Sequence, residues 1–388
     1  MHSFVIVGAG LAGHTAALEL ARLAKGPVLL LGEEIHAPYD RPPLSKELLT
    51  AENANASIPF LSKPDAYADA GIFFRPQCGV ARILRERRQI ELWDGERIAY
   101  DRLLLAVGSS PIVLPCSPEV LARIHKLRTY EDAQRLRNAL LPERHLVVVG
   151  GGLIGLEVAA AARTRNVRVT VLEASDRLAS RSVPVEISDW LFKLHTARGT
   201  SILLGERVTE ISHVSDGLCV SSTSQSLHAD EVLICIGIKP NSAFASDCGL
   251  MVDDGIVVDE RCRTSDDSIL AAGEVTNYPV AHWGCRRRLE CWKTAATQPI
   301  VAARTMAGVE ATYEDLPWFW SDQFNRNIQV VGLPDLAVET RIWDDIDPDE
   351  NLGVTCIDAN GFIVAAAGIN CGKRISMLRR AIEDQQRL

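Results

Sequence analysis

Gly8-Ala9-Gly10-Leu11-Ala12-Gly13 and Gly150-Gly151-Gly152-Leu153-Ile154-Gly155 are the stretches whose reading decides the fold. Each follows a short apolar run, Phe4-Val5-Ile6-Val7 or Leu146-Val147-Val148-Val149, and each opens an alanine-rich stretch of helical character. A buried strand that turns through glycines into a helix is the dinucleotide-binding unit. The first glycine allows the tight turn, the second lets backbone approach a pyrophosphate, and the third lets helix pack on strand. A lone match is weak, because glycines in this pattern also occur in ordinary loops, but the context strengthens both. The next strand ends on a carboxylate in each unit: Glu33 after Val28-Leu29-Leu30-Leu31-Gly32, and Glu173 after Val169-Thr170-Val171-Leu172. Such a carboxylate can accept a hydrogen bond from a ribose 2′-hydroxyl. The plainer reading is a glutamate that merely solvates a strand end. Two such units predict two nucleotide cofactors in one chain, and hence electron transfer.

Composition bounds the rest. At 388 residues the chain is long for one core, so two or three domains are expected. Apolar residues at 47% and charged residues at 23% describe an ordinary globular protein. A net charge of −9 argues against nucleic acid or an anionic membrane as the main partner. Met1-His2-Ser3 leads directly into the first strand, and no apolar run approaches bilayer length, so a cytoplasmic protein is expected. The ten cysteines are scattered, with no CxxC pair and no His/Cys cluster at zinc spacing, so no metal site is expected and most read as small buried hydrophobes. Asp40-Arg41-Pro42-Pro43-Leu44-Ser45-Lys46 contains no thiol, whereas flavoenzymes that reduce disulfides need a paired redox cysteine and flavin peroxidases a single reactive one near the first nucleotide motif.

The order of segments predicts an α/β chain with two Rossmann-like dinucleotide-binding domains and a small α+β C-terminal domain. Leu103-Leu104-Leu105-Ala106-Val107-Gly108 reads as a buried strand, followed by a proline-bearing linker, a helix near Glu131 to Leu140, and the second nucleotide unit. That unit ends at Val232-Leu233-Ile234-Cys235-Ile236-Gly237, after which Ser268-Ile269-Leu270-Ala271-Ala272-Gly273-Glu274 is expected to rejoin the first sheet. Beyond Pro317 the composition turns aromatic, with strands expected near Ile328 to Val331 and Gly361 to Ala367 and a helix from Ile375 to Ile382. The expected boundaries are residues 1–111 with 237–316, 112–236, and 317–388.

Several segments, in this order, resemble the FAD-dependent ferredoxin reductases that serve bacterial Rieske-type ring-hydroxylating dioxygenases and cytochrome monooxygenases. They are Pro38-Tyr39-Asp40-Arg41-Pro42-Pro43-Leu44-Ser45-Lys46, Leu127-Arg128-Thr129-Tyr130-Glu131-Asp132, the second fingerprint with Glu157, Ala271-Ala272-Gly273-Glu274, Arg288-Leu289-Glu290-Cys291-Trp292, and Pro317-Trp318-Phe319-Trp320-Ser321-Asp322-Gln323. The chain is similar to the biphenyl dioxygenase reductase and putidaredoxin reductase group. The resemblance implies a glutathione-reductase-like fold: an FAD domain in two pieces, an inserted NAD domain, and a C-terminal domain over the flavin. It implies that Gly8, Gly10, Ala12, Gly13, Glu33, Arg41, Lys46, Val80, Arg128, Glu274 and Trp292 bind FAD. Gly150, Gly152, Ile154, Gly155, Glu173, Arg181 and Gly237 would bind NADH.

By the same resemblance, Lys46 sits near the reactive flavin nitrogen and pairs with Glu157, the ammonium offsetting the negative charge of reduced flavin and the carboxylate compensating the ammonium. A carboxylate near a helix start is also favoured by the helix dipole, and Lys46 alone would read as a solvated loop lysine. Trp292 would carry or gate electrons near the flavin, or else serve as a core aromatic. Glu274 stands where most relatives have aspartate at the ribityl contact, one methylene (about 1.5 Å) longer. The implied activity is hydride transfer from NADH to FAD, then single electrons to an iron–sulfur ferredoxin, of Rieske-type [2Fe-2S] kind, that feeds an oxygenase. Arg286, Arg287 and Arg288, or Lys373, Arg374, Arg379 and Arg380, would dock an acidic ferredoxin. An NADH oxidase and a non-enzymatic redox sensor of the apoptosis-inducing-factor type are the alternatives.

Overall fold

The computed structural model describes residues 2–23, 26–51, 57–344 and 351–387. The chain forms two compact units, one of Met1–Asp40, Ile58–Ser110 and Lys239–Pro317, the other of Arg41–Ser57, Pro111–Ile238 and Trp318–Leu388.

The first unit is built on a parallel sheet whose strands lie in the order Ile72–Arg75, Val28–Leu31, His2–Val7, Arg97–Leu105, Ile269–Ala271. Val5, Ile6, Leu29, Leu30, Leu103, Leu104 and Leu270 are buried on these strands. Strands covered on both faces read as continuous apolar runs, which is why four of these strands were legible; Ile72–Arg75, with Phe73 57% exposed, was not. Ile269–Ala271 pairs with Leu103–Leu105, so the expected return to the first sheet is observed. Gln89–Leu92 and Val80–Leu84 extend this sheet in antiparallel fashion. Helix Leu11–Leu23 packs with helix Trp292–Met306, and Arg304 reaches Glu19 at 2.8 Å between them.

The second unit repeats the plan with four parallel strands in the order Ser201–Leu204, Arg168–Glu173, His145–Val149, Glu231–Ile234. A three-stranded antiparallel sheet, Val208–Val214, Gly217–Ser222 and Ser226–Ala229, is an addition that the apolar runs did not reveal. The C-terminal part is a five-stranded antiparallel sheet in the order Trp318–Gln323, Arg326–Gly332, Ile363–Ile369, Leu352–Ile357, Glu339–Ile342, closed by helix Gly372–Glu383.

The contact units cut the chain differently from the sequence boundaries. Leu156, Leu178, Ile187 and Leu191 share one core with Ile328, Val330, Val354 and Ala367, which joins the C-terminal sheet to the second nucleotide unit. Leu49 is buried in the core of that unit, and Arg165 and Arg137 donate to the carbonyls of Leu49 (3.0 Å) and Ala51 (2.9 Å), which draws residues 41–57 to it. Neither grouping is written in a local pattern, because both depend on which apolar faces meet.

Candidate active site

The two glycine turns have the same geometry. Gly8 has φ +106°, and a Cβ there would lie 2.3 Å from the carbonyl oxygen of Ala106; Gly150 has φ +105°, with its Cβ 2.3 Å from the carbonyl oxygen of Cys235. In each unit the neighbouring parallel strand ends directly against the turn, and only glycine satisfies both the positive φ and the close approach. A Cβ on Gly13 or Gly155 would lie 1.8 or 2.3 Å from the carbonyl oxygen of Gly8 or Gly150, so the third glycine is demanded by helix-on-turn packing. Gly10 and Gly152 differ: a Cβ at either meets nothing within 4 Å. Their bareness serves no contact within the protein. It leaves a cradle at the start of helices Leu11–Leu23 and Leu153–Thr164 that suits a pyrophosphate. Gly152 is the N-cap of the second helix and offers no side-chain acceptor to its free N–H groups. The residues present fit a dinucleotide at both turns.

The carboxylates after the second strands are placed differently. Gly32 packs against Ala9, where an added Cβ would lie 2.8 Å from that side chain, and this brings Glu33 beside the first turn. Glu33 is exposed and has no hydrogen-bond or ion-pair partner among the described residues, which suits an acceptor for a ribose hydroxyl. Glu173 instead accepts from Gly151 N–H at 2.7 Å and Ser175 N–H at 2.8 Å, so it braces the glycine turn as well as closing the strand. Three nearby arginines are spent on carbonyls: Arg165 on Leu140 (3.1 Å), Arg168 on Glu143 (3.1 Å), and Arg177 on Val183 (2.9 Å). Arg181 is exposed, and its Nη2 would lie 3.2 Å from a Cβ on Gly237, which turns at φ +113°. Ile154 is exposed at the helix start, 47% accessible, so its side chain faces out from the turn.

Lys46 and Glu157 meet. Pro42 and Pro43 start a single 3₁₀ turn, Pro42–Ser45, and Lys46 stands at the break before the short helix Glu47–Thr50. The Lys46 Nζ lies 3.0 Å from Glu157 Oε2, with side chains 12% and 3% accessible. Ser45 Oγ donates to the same oxygen, and Ser321 Oγ donates to Oε1 at 2.6 Å. Glu157 is the fifth residue of helix Leu153–Thr164, beyond the first turn, so the helix dipole does not account for it. Burial pushes its carboxyl above the ordinary carboxylate range, while Lys46 and the Ser321 and Ser45 hydroxyls act the other way. Lys46 is therefore no solvated loop lysine. Neither Ser45 nor Ser321 is legible from the sequence as a partner of Glu157; the one signal, at Ser321, is a polar residue on the inward face of an alternating strand.

The remaining flavin-side candidates divide between the two units. In the first, Val80 opens strand Val80–Leu84, and Ala12 lies close enough that a Cβ on Gly273 would come 3.0 Å from it. Gly273 N–H donates to Gln298 Oε1 at 2.7 Å, and Thr276 Oγ1 donates to the same oxygen at 3.0 Å, which fixes the turn bearing Glu274. Gln298 Nε2 is buried without an acceptor, a donor that a bound polar group would satisfy. Trp292 is half-buried at the start of helix Trp292–Met306, and its Nε1 donates to Asp40 Oδ1 at 3.0 Å. In the second unit, Arg41 donates to the carbonyl of Arg128, whose own N–H donates to Asp132 at 3.0 Å in the capping box of helix Tyr130–Ala139.

Of the arginines expected to dock a partner, four are engaged within the chain. Arg288, 9% accessible, pairs with Asp254 at 3.0 Å and Glu290 at 2.8 Å, and Arg286 donates to the carbonyl of Asn277 at 2.8 Å. In helix Gly372–Glu383, Arg374 lies over the Trp343 ring at 4.3 Å and Arg379 pairs with Glu383 at 2.9 Å, whereas Lys373 and Arg380 are exposed. Among the described residues no group of three or more His, Cys, Asp or Glu side chains stands together as a metal site, and no helix is long and apolar enough to cross a membrane.

Comparison with known proteins agrees with this geometry. The pyridine nucleotide-disulphide oxidoreductase family pattern matches residues 2–298, and the reductase C-terminal pattern matches residues 318–388. The chain is 39% identical, over 98% of its length and 93% of the relative's, to the ferredoxin–NAD(+) reductase component of the anthranilate 1,2-dioxygenase system of Burkholderia cepacia. It is 38% identical, over 99% of its length and 95% of the relative's, to the corresponding component of the p-cumate 2,3-dioxygenase system of Pseudomonas putida. A structure from the covalent putidaredoxin reductase–putidaredoxin complex superposes with a TM-score of 0.94 at 33% identity, covering 99% of this chain and 93% of the other. The chain belongs to the pyridine nucleotide-disulphide oxidoreductase family, with a reductase C-terminal domain, alongside the ferredoxin–NAD(+) reductase components of dioxygenase systems.

Proposed function

We propose that this chain is an NADH-dependent ferredoxin reductase that takes electrons from NADH through FAD to an iron–sulfur ferredoxin of a ring-hydroxylating oxygenase system, the ferredoxin being of the Rieske-type [2Fe-2S] kind. The observation that carries it is the pair of glycine turns of equal geometry, each with a bare second glycine, in a chain that also buries a lysine–glutamate pair. Residues 1–111 and 237–316 form the FAD-binding domain, 112–236 the NAD-binding domain, and 317–388 the C-terminal domain over the flavin. FAD held at the first glycine turn would supply the chemistry that converts an electron pair from NADH into single electrons. Gly8, Gly10, Ala12 and Gly13 receive its pyrophosphate, Glu33 its ribose, Glu274 its ribityl chain, and Arg41, Val80, Arg128 and Trp292 complete the seat. Lys46 supplies positive charge toward the reduced cofactor, and Glu157 compensates that ammonium in a buried setting.

Gly150, Gly152, Ile154, Gly155, Arg181 and Gly237 receive NADH. Glu173 sets the choice of nucleotide, because its charge, held by two backbone N–H groups, opposes a 2′-phosphate. NADH is expected to be preferred over NADPH by at least about tenfold in kcat/KM, the effect of about 1.4 kcal/mol of repulsion. Steady-state kinetics with both nucleotides checks this, and a preference for NADPH would refute the role of Glu173.

The reading as a whole is tested by purifying the protein, recording a flavin spectrum, and following NADH-dependent reduction of candidate ferredoxins and, through them, of cytochrome c. Fast turnover that requires a ferredoxin is expected. Equal turnover without ferredoxin and with oxygen consumption would favour an oxidase. A long-lived reduced complex that turns over with neither would favour a sensor. Lys373 and Arg380, exposed on one helix, are the proposed docking cations, so ferredoxin reduction is expected to fall as salt rises.

A further inference from the structure

Glu157 is the end of a longer polar chain. Ser321 Oγ, which donates to Glu157 Oε1 at 2.6 Å, accepts from Gln323 Nε2 at 2.9 Å, and Gln323 Oε1 faces His195 Nε2 at 2.8 Å. Ser321 and His195 are fully buried, Gln323 is 1% accessible and Glu157 3%. The chain starts in helix Val185–Ala197, crosses strand Trp318–Gln323 through two residues on the same face, and ends in helix Leu153–Thr164.

Its polarity follows from the carboxylate. An ionised Glu157 can only accept, so Ser321 spends its one proton on it; Ser321 must then accept from the Gln323 amide N–H, and the Gln323 oxygen must accept from His195. His195 is thereby required to be the neutral tautomer protonated at Nε2. The other ring nitrogen agrees: Nδ1 is buried with no partner, where a proton would be unsatisfied. Burial pushes His195 down to about 4, against the opposing bond from Gln323, so the ring stays neutral through the working range. Three donors in series therefore point at one carboxylate, and in a low-dielectric interior each polarises the next.

We propose that His195, Gln323 and Ser321 are positioning residues that orient the Glu157 carboxylate and set the pH at which it takes up a proton, and so keep the Lys46–Glu157 pair charged. The charged and titratable groups facing Glu157 are Lys46 from the 41–57 segment and the Cys235 thiol at the end of strand Glu231–Ile234, the latter pushed up to about 12 by burial and by the Glu157 charge. At the far end His195 meets the Phe324 ring edge-on at 5.0 Å, and the Arg198 guanidinium lies 5.6 Å over the same ring. Cys235 stays a neutral thiol across the range tested, so it does not titrate in place of Glu157.

The inference deepens the reading of the Lys46–Glu157 pair and rests on it for its catalytic consequence, but its test does not. The flavin-loaded protein, carrying side-chain ¹³C-labelled glutamate, is titrated by NMR, with the Glu157 signal assigned by its loss in Glu157→Gln. His195→Leu and Gln323→Leu are expected to raise the Glu157 midpoint by about one pH unit or more, a tenfold gain in proton affinity. His195→Gln, which restores an N–H at the position of Nε2, is expected to return it to within about 0.3 unit of wild type, on the same scale. A long-range ¹H–¹⁵N spectrum is expected to show His195 protonated at Nε2 in the wild type. An Nδ1-protonated ring, a Gln323→Leu midpoint equal to wild type, or a His195→Gln midpoint as displaced as that of His195→Leu would each overturn the proposal. If the leucine variants do not fold, Gln323→Met asks the same question. It keeps the length and adds no charge but cannot donate to Ser321, so a raised midpoint supports the relay and an unmoved one overturns it. A shifted midpoint alongside an unchanged flavin-reduction rate would leave the relay standing and remove only the catalytic reading of the pair.

Discussion

The Lys46→Ala variant is expected to fold and to bind FAD, but to have its flavin reduced by NADH about 100-fold more slowly than the wild type, the size of effect seen when one preorganised charge-stabilising donor is removed. The argument is electrostatic. The Lys46 ammonium is only 12% accessible and stands 3.0 Å from a carboxylate that is 3% accessible, so both charges act through a medium that screens them far less than water. Such an ammonium is costly to bury; Glu157 compensates it, and the Ser45 and Ser321 hydroxyls donate to that carboxylate. A structure that sustains this arrangement needs the charge for something that develops only during the reaction. Glu157→Ala removes the partner and strands the ammonium, so it is expected to slow the same step and also to lower stability by about 3 kcal/mol, the lower end for breaking a buried pair. Stopped-flow absorbance of the flavin band measures the rate, and the initial spectrum verifies cofactor content. A Lys46→Ala rate equal to wild type would withdraw the assignment.

The second large effect separates glycines that the fold needs from glycines that a ligand needs. Gly8→Ala and Gly150→Ala place a Cβ 2.3 Å from a carbonyl oxygen on a backbone with φ near +105°, as the values of +106° and +105° record. Each is expected to cost about 2–4 kcal/mol in chemical denaturation, through strain at a special φ combined with overpacking. Gly10→Ala and Gly152→Ala meet nothing within 4 Å, and Gly152 has φ −74° and ψ 175°, which any residue adopts. Both are expected to unfold within about 0.5 kcal/mol of wild type, as substitutions without a structural contact do. Their effect is on ligands: purified Gly10→Ala is expected to lose flavin on dilution, and Gly152→Ala to retain flavin while its KM for NADH rises about tenfold or more, the effect of 1.4 kcal/mol of lost binding. Unfolding curves beside flavin content and NADH kinetics distinguish the classes. A Gly152→Ala enzyme with wild-type NADH affinity would show that the bare turn is not the nucleotide seat.

How much of this was legible beforehand depended on whether the controlling physics is local. Strands buried on both faces show as unbroken apolar runs such as Val28–Leu31 and Leu146–Val149, and a helix that must start on a tight turn shows as glycines, so the central strands of both parallel sheets and both glycine turns could be read directly, whereas the partly exposed edge strands Ile72–Arg75 and Ser201–Leu204 could not. The hairpins of residues 208–229, the edge strand Glu339–Ile342 and its neighbour Leu352–Ile357 were not legible, because their alternation is weak and their pairing is settled by neighbours elsewhere in the chain.

The sites divide in the same way. Sequence by itself determined the two glycine turns, since the spacing of Gly8, Gly10 and Gly13 and of Gly150, Gly152 and Gly155 is a local steric demand of strand, turn and helix. Only the tertiary structure decided that Arg288 is neutralised by Asp254 and Glu290, that Glu173 braces its own glycine turn, and that His195, Gln323 and Ser321 line up behind Glu157. Those outcomes turn on which side chains, more than a hundred positions apart in the case of His195 and Gln323, face each other across a closed core. No local pattern encodes them, because a buried polar group takes whatever partner the packing of distant elements brings within reach.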